Sequence, residues 1–226
     1  MQPVPLFVII AFICTTVLGI FLFTLALPNQ KRFSIIATAW LLVQGIISYT
    51  GFYTVTNTTP PRFALVLMPP LVCIAVLFST KNGRVFIDSL NAKYLMLVHI
   101  IRIPVEFCLY FLFVYKAIPE SMTFEGHNFD ILSGITAIAV FYFGYVKKLL
   151  SRTILIAWNI ACLFLLVNIV VTAILSAPFP FQQFAFDQPN VAILIFPFVW
   201  LPGFLVPMVL FSHLATIRGL LIKKEV

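Results

Sequence analysis

Charge is what this chain has least of. Of its 226 residues only 9% are Asp, Glu, Lys or Arg, and just seven are acidic. A soluble domain carries about 25% charged residues because its surface faces water, so a water-facing globule is excluded. Histidine is scarcer still, at three residues. That count argues against seven-helix zinc hydrolases and di-iron membrane hydroxylases, whose metals need several histidines set within the membrane. Cys14, Cys73, Cys108 and Cys162 all lie inside apolar runs, without a CxxC or Cys/His spacing. They read as small apolar-facing side chains rather than a disulfide or metal framework. No glycine-rich phosphate loop, GxSxG elbow or paired aspartates occur, and no internal repeat is evident. The last apolar run lacks the lysine a retinal Schiff base would need, and the Pro-Gln motifs of small sugar transporters are absent. Nothing in these residues calls for a cofactor or a resident metal.

Apolar residues take the place of charge. They make up 62% of the chain, 25 of them Phe, and the mean hydropathy is +1.10. Phe is cheap in lipid and a liability on a wet surface. A helix needs about 20 apolar residues to cross a bilayer, and seven runs qualify, at about 5–27, 33–55, 63–80, 94–115, 129–146, 154–175 and 191–217. The expected fold is an all-α membrane protein: one polytopic domain over 1–226, a bundle of about seven transmembrane helices joined by short connections. The first run has no basic residue ahead of its apolar core, so it is expected to stay as a helix rather than serve as a cleaved signal.

The net charge of +7 comes as short basic clusters between apolar runs. No basic face exists, so the expected partners are membrane lipids and not nucleic acid. One set of connections holds Lys31, Arg32, Lys81, Arg84, Lys93, Lys147, Lys148, Arg152, Arg218, Lys223 and Lys224, whereas the alternate set holds only Arg62 and Lys116. Short loops rich in Lys and Arg stay cytoplasmic. The expectation is N-terminus outside, C-terminus inside, in a cytoplasmic (inner) membrane. Glu120, Glu125, Asp130 and Asp187 then fall outside. The segment 85–92, with Asp88 and Asn91, reads as a short interfacial helix.

Within the fourth run stands His99-Ile-Ile-Arg102-Ile-Pro104-Val-Glu106. The spacing i, i+3, i+7 puts the three ionisable groups on one helical face. Such groups cost a few kcal/mol each in hydrocarbon, usually face the bundle interior and mark functional sites. The stripe suits an anion at Arg102, a proton relayed through Glu106 and His99, or a polar ligand. The bland alternative is that Arg102 and Glu106 neutralise each other and staple neighbouring helices. Gln44 in the second run and Asn168 in the sixth lie at comparable depth, with Trp158 and Trp200 as candidate walls. Asn159 reads as interhelical glue.

Prolines interrupt three runs: Pro69-Pro70 the third, Pro104 the fourth, and Pro197, Pro202 and Pro207 the seventh. Each leaves a carbonyl needing another donor, as in the broken helices that flank transporter sites. The outer loop 120–130 mixes carboxylates with His127. Helix capping by Asn128 or Asp130 explains it better than metal binding. His213 and Arg218 fall at the inner end of the last run, with Arg218 expected to snorkel to headgroups. The functional expectation is a small-solute or proton-coupled transporter, or a related ligand-binding membrane protein. An intramembrane enzyme on a lipid or isoprenoid and an assembly subunit are the alternatives. A small-molecule ligand and an oligomer are both compatible with the sequence.

Overall fold

The computed structural model describes residues 3–222, and Lys223 and Lys224 of the inner basic set lie outside that range. Helix is the regular structure of the described residues, with no strand among them. Five helices are long and apolar enough to cross a membrane: Leu6–Thr24 (α1), Gln30–Tyr49 (α2), Ala92–Val114, Arg152–Leu175 (α8) and Leu201–Ile222. The third of these joins α5 (Ala92–Val98) to α6 (Arg102–Val114) through a 3-10 turn at His99–Ile101. The fifth joins a π-helical segment, Leu201–Leu205, to α9 (Val206–Ile222).

The other two expected spans are irregular. Ala64–Ser79 (α3) bends by 92° into Lys81–Asp88 (α4), and together they make at most one broken span. The corner is local chemistry: Thr80 is extended and its hydroxyl accepts from the Gly83 N–H at 3.2 Å. A Cβ at Gly83 would collide with the Leu77 carbonyl, so only glycine closes this corner. The short helix read at 85–92 is therefore α4, beginning four residues earlier and ending at Asp88. Asp130–Val140 (α7) continues as a π segment, Phe141–Val146, for 11 and 6 residues respectively.

Two expected boundaries move. The second helix starts at Gln30, because the Asn29 side chain accepts from the Arg32 N–H. It stops at Tyr49, before Gly51 at φ 75°, a left-handed position that ends helices and favours glycine. The run 191–217 begins with no more than a 3-10 turn, Ala192–Leu194. Val191 and Ala192 donate to the Ala117 carbonyl at 3.1 and 3.0 Å, and Ile193, Leu194, Phe198 and Val199 are buried. These residues are apolar because they are packed inside a cap of loops at this end of the bundle. Helix resumes only beyond Pro197, whose ring removes a backbone donor.

The α5–α6 rod is enclosed. α5 packs on α1 and α9, α6 on α1 and α7, and α8 on α9. Gly19 of α1 lets Met208 and Leu205 approach to 3.0 and 3.1 Å of its Cβ position. Arg218, expected to snorkel toward headgroups, also holds a carboxylate. It grips Asp88 with Nε and Nη2 at 2.8 and 2.9 Å, tying α9 to α4.

Candidate functional site

His99, Arg102 and Glu106 are all buried, at 0%, 3% and 2% exposure. They do not pair with one another. Arg102 Nη1 lies 3.0 Å from Asp130 Oδ1, an ion pair between α6 and the first turn of α7. Gly134, one turn along α7, permits this approach: a Cβ there would meet Ile103 Cγ1 at 2.8 Å and Arg102 Cβ at 3.2 Å. With no side chain in the way, α7 presses against α6 and carries Asp130 to the guanidinium. Asp130 is thus buried within the bundle, at 6% exposure, and not in the outer loop where charge placement alone puts it.

A second arm of Arg102 fixes a histidine. Nη2 lies 3.2 Å from His213 Nε2, and His213 Nδ1 lies 2.8 Å from Asn159 Oδ1. Asn159 in turn donates through Nδ2 to the Leu155 carbonyl at 2.8 Å. A guanidinium only donates, so His213 accepts at Nε2 and donates from Nδ1–H to the amide oxygen. Every donor and acceptor in this chain then has one consistent role. His99 stacks on His213, with centroids 3.8 Å apart and planes at 19°, and meets the Trp158 ring at 5.6 Å. Both His99 ring nitrogens are buried without a hydrogen-bond partner among the described residues. Trp158 donates to Thr136 Oγ1 at 3.0 Å.

Glu106 faces the other way. Its two oxygens accept from the single amide nitrogen of Asn128, each at 2.7 Å, and that nitrogen also reaches the Met122 carbonyl at 3.0 Å. Asn128 Oδ1 accepts from the Asp130 N–H at 3.0 Å, which turns the 120–129 loop into α7. A carboxylate offers about four lone-pair directions, and one neutral amide satisfies few of them. The rest of the group borders a cavity of about 70 Å³, where Glu106 and Asp130 are the ionisable side chains among walls such as Leu109, Leu166, Ile169 and Val206. A water needs only about 10–15 Å³ of such space. The cluster holds one guanidinium, two carboxyl groups and two imidazoles.

The remaining expected site residues stand apart. Gln44 is buried but its Oε1 accepts from Tyr53 OH at 2.6 Å. Trp200 donates to the Leu41 carbonyl at 2.9 Å and packs on Phe196. Asn168 is exposed on α8 and donates to the His127 carbonyl at 3.1 Å. The structure brings none of these three into hydrogen-bond contact with the stripe. It adds Asp130, Asn128, Asn159 and His213 instead. A signal for Asp130 existed in the sequence: Asp130, Ser133, Gly134 and Ala137 follow helical spacing and are all buried. Among the described residues, no three His, Cys, Asp or Glu side chains gather as a metal-binding group.

Residues 60–221 match the family described as a domain of unknown function, DUF8737. The chain belongs to this family. The DUF8737 stretch contains every residue of the Arg102 cluster, while α1, α2 and Gln44 precede it. No curated protein and no solved structure gives a significant match.

Proposed function

We propose that this DUF8737 protein is a seven-span membrane protein, N-terminus outside and C-terminus inside, that acts as a proton-coupled transporter of a small solute. In this reading the bent α3–α4 pair and the short α7 complete the seven spans. The observation that carries it is the charge count at the centre of the bundle. Glu106 and Asp130 share a cavity, only Arg102 opposes them, and Glu106 makes no ion pair among the described residues. An unbalanced buried carboxylate is costly to retain in hydrocarbon, and taking up and releasing a proton is a use that matches the cost. Asn128 links that carboxylate to the outer loop, and the Arg102–His213–Asn159 chain links Asp130, across the same cavity, to α8 and α9, the elements a rocking motion would move.

The test is proton movement in proteoliposomes with an entrapped pH dye, challenged with a panel of amines, amino acids, sugars and organic acids. One or more solutes should drive proton flux in the wild type, and Glu106→Gln should abolish it. A solute that moves without protons, or proton flux that survives Glu106→Gln, overturns the reading. An intramembrane enzyme is the second reading, favoured by the apolar walls around Glu106. It would show instead as turnover of a lipid or isoprenoid without flux.

A further inference from the structure

A second cavity lies away from the charged cluster, between α2 and α3 with α9 as its floor. Its volume is about 400 Å³, within the usual range for small-ligand sites. Ile36 and Trp40 form one wall, Pro70, Cys73 and Leu77 the other, and Met208 belongs to the floor. Ile36 and Cys73 are exposed, so the groove opens sideways, toward the surroundings of the bundle. No ionisable side chain other than the Cys73 thiol lines it. The one strong donor nearby, the Trp40 indole, is already bonded to the Gly203 carbonyl.

The groove has a closed end and a basic end. It closes where α3 meets the last helix, since a Cβ on Gly203 would stand 2.8 Å from Val66 Cγ1. From Trp40 it runs along α2 to Phe33, about 10 Å at 1.5 Å per residue. One leaflet's hydrocarbon is about 15 Å deep. The other end is the first turn of α2 and the last turn of α3, which carry on into Lys31 and Arg32 and into Lys81 and Arg84. The stretch 25–36 contains no Asp or Glu, and Asp88 at the end of α4 is the one acidic residue of 77–88, bonded to Arg218. The Arg84 guanidinium is fixed over the end of α3 by the Phe78 and Ser79 carbonyls at 3.3 and 3.1 Å.

We propose that this groove seats one acyl chain of an anionic phospholipid, whose phosphate rests among Lys31, Arg32, Lys81 and Arg84. The apolar trough sets the tail, and the basic end, where Lys31, Arg32, Lys81 and Arg84 outnumber the Arg218-bonded Asp88, sets the sign of the headgroup. The groove thus fits a lipid whose tail and charge lie as far apart as glycerol and phosphate place them. This site does not depend on the transport reading.

The test is native mass spectrometry of the full-length protein in detergent, after incubation with equal amounts of phosphatidylglycerol and phosphatidylcholine bearing identical chains. One phosphatidylglycerol should stay bound, preferred by roughly tenfold, as expected of one or two interfacial basic residues. Inorganic phosphate should not displace it, because the tail supplies the rest of the binding. Arg32→Gln with Lys81→Gln should erase the preference between the two lipids. Cys73→Trp should fill the groove and remove most of the bound lipid, and Ile36→Trp does the same from the opposite wall should the first variant fold poorly. Equal retention of the two lipids by the wild type, or undiminished binding with either tryptophan in place, overturns the proposal.

Discussion

The indole N–H of Trp40 donates at 2.9 Å to the carbonyl of Gly203, whose regular α-helical donor would be residue 207, a proline. The break in the last helix is therefore tied to α2 from outside. Trp200 returns the bond, donating to the Leu41 carbonyl at 2.9 Å. Proline-broken helices need such replacement donors because hydrocarbon supplies none.

Trp40→Phe should accordingly destabilise the protein by about 1–3 kcal/mol, the cost of a buried acceptor left without its donor. Unfolding followed by intrinsic fluorescence in detergent checks this. A melting temperature equal to the wild type's would show that the indole bond is dispensable.

Arg102 and Asp130 should behave as a pair. Removing one member of a buried pair typically costs roughly 3–5 kcal/mol, because the other stays charged and uncompensated. Arg102→Gln and Asp130→Asn should each lower folded yield, and the double variant should recover much of it. Glu106→Gln strands no cation, so its yield should stay close to the wild type's. Equal losses for Glu106→Gln and Asp130→Asn would mean that Arg102 serves both carboxylates alike.

Gly134→Ala tests how α7 reaches α6. The added methyl would stand 2.8 Å from Ile103 Cγ1 and 3.1 Å from the Ile103 nitrogen. Overpacking of this kind costs typically about 1–3 kcal/mol. The variant should melt lower, and combining it with Asp130→Asn should cost less than the sum of the two, since both act on one contact. Strict additivity would separate the glycine from the ion pair.

The roles in the Arg102–His213–Asn159 chain predict the His213 tautomer. Nitrogen-15 NMR of histidine-labelled protein should show His213 neutral with its proton on Nδ1. In Asn159→Leu that proton loses its acceptor, so the Nδ1 signal should shift and stability should drop. A proton on Nε2 would contradict the assignment of Arg102 as its donor.

Orientation is open to labelling in a cysteine-free background. Cysteines placed at Thr59 and Glu120, both exposed, should react with an impermeant reagent on intact cells. Those at Lys81 and Lys148, also exposed, should react only after permeabilisation. The reverse pattern would overturn the charge-based orientation.

The straight helices were legible because hydropathy reports them directly. The runs 5–27, 94–115 and 154–175 correspond to Leu6–Thr24, Ala92–Val114 and Arg152–Leu175. Hydropathy cannot tell a residue buried in lipid from one buried in protein, and this is where the reading of 191–217 departs from the structure. Ala192, Ile193 and Leu194 are apolar because they are buried in protein. The charged stripe was legible too, since i, i+3, i+7 is a local property. Its partners were not. Asp130, Asn159 and His213 join it across 28, 57 and 111 positions of sequence, and only the packing of α6 against α7 and of α8 against α9 decides that. Gln44 and Asn168 matched the stripe in depth, but depth leaves rotation about the helix axis open, and both turn to other partners.

Asn128 spends one amide group on two masters, the Glu106 carboxylate and the Met122 carbonyl. Its two hydrogens serve three acceptor oxygens, two on Glu106 and one on Met122. A single uncharged side chain thus joins a carboxylate within the bundle to the backbone of the loop that leads into α7, so any change at Asn128 acts on both at once.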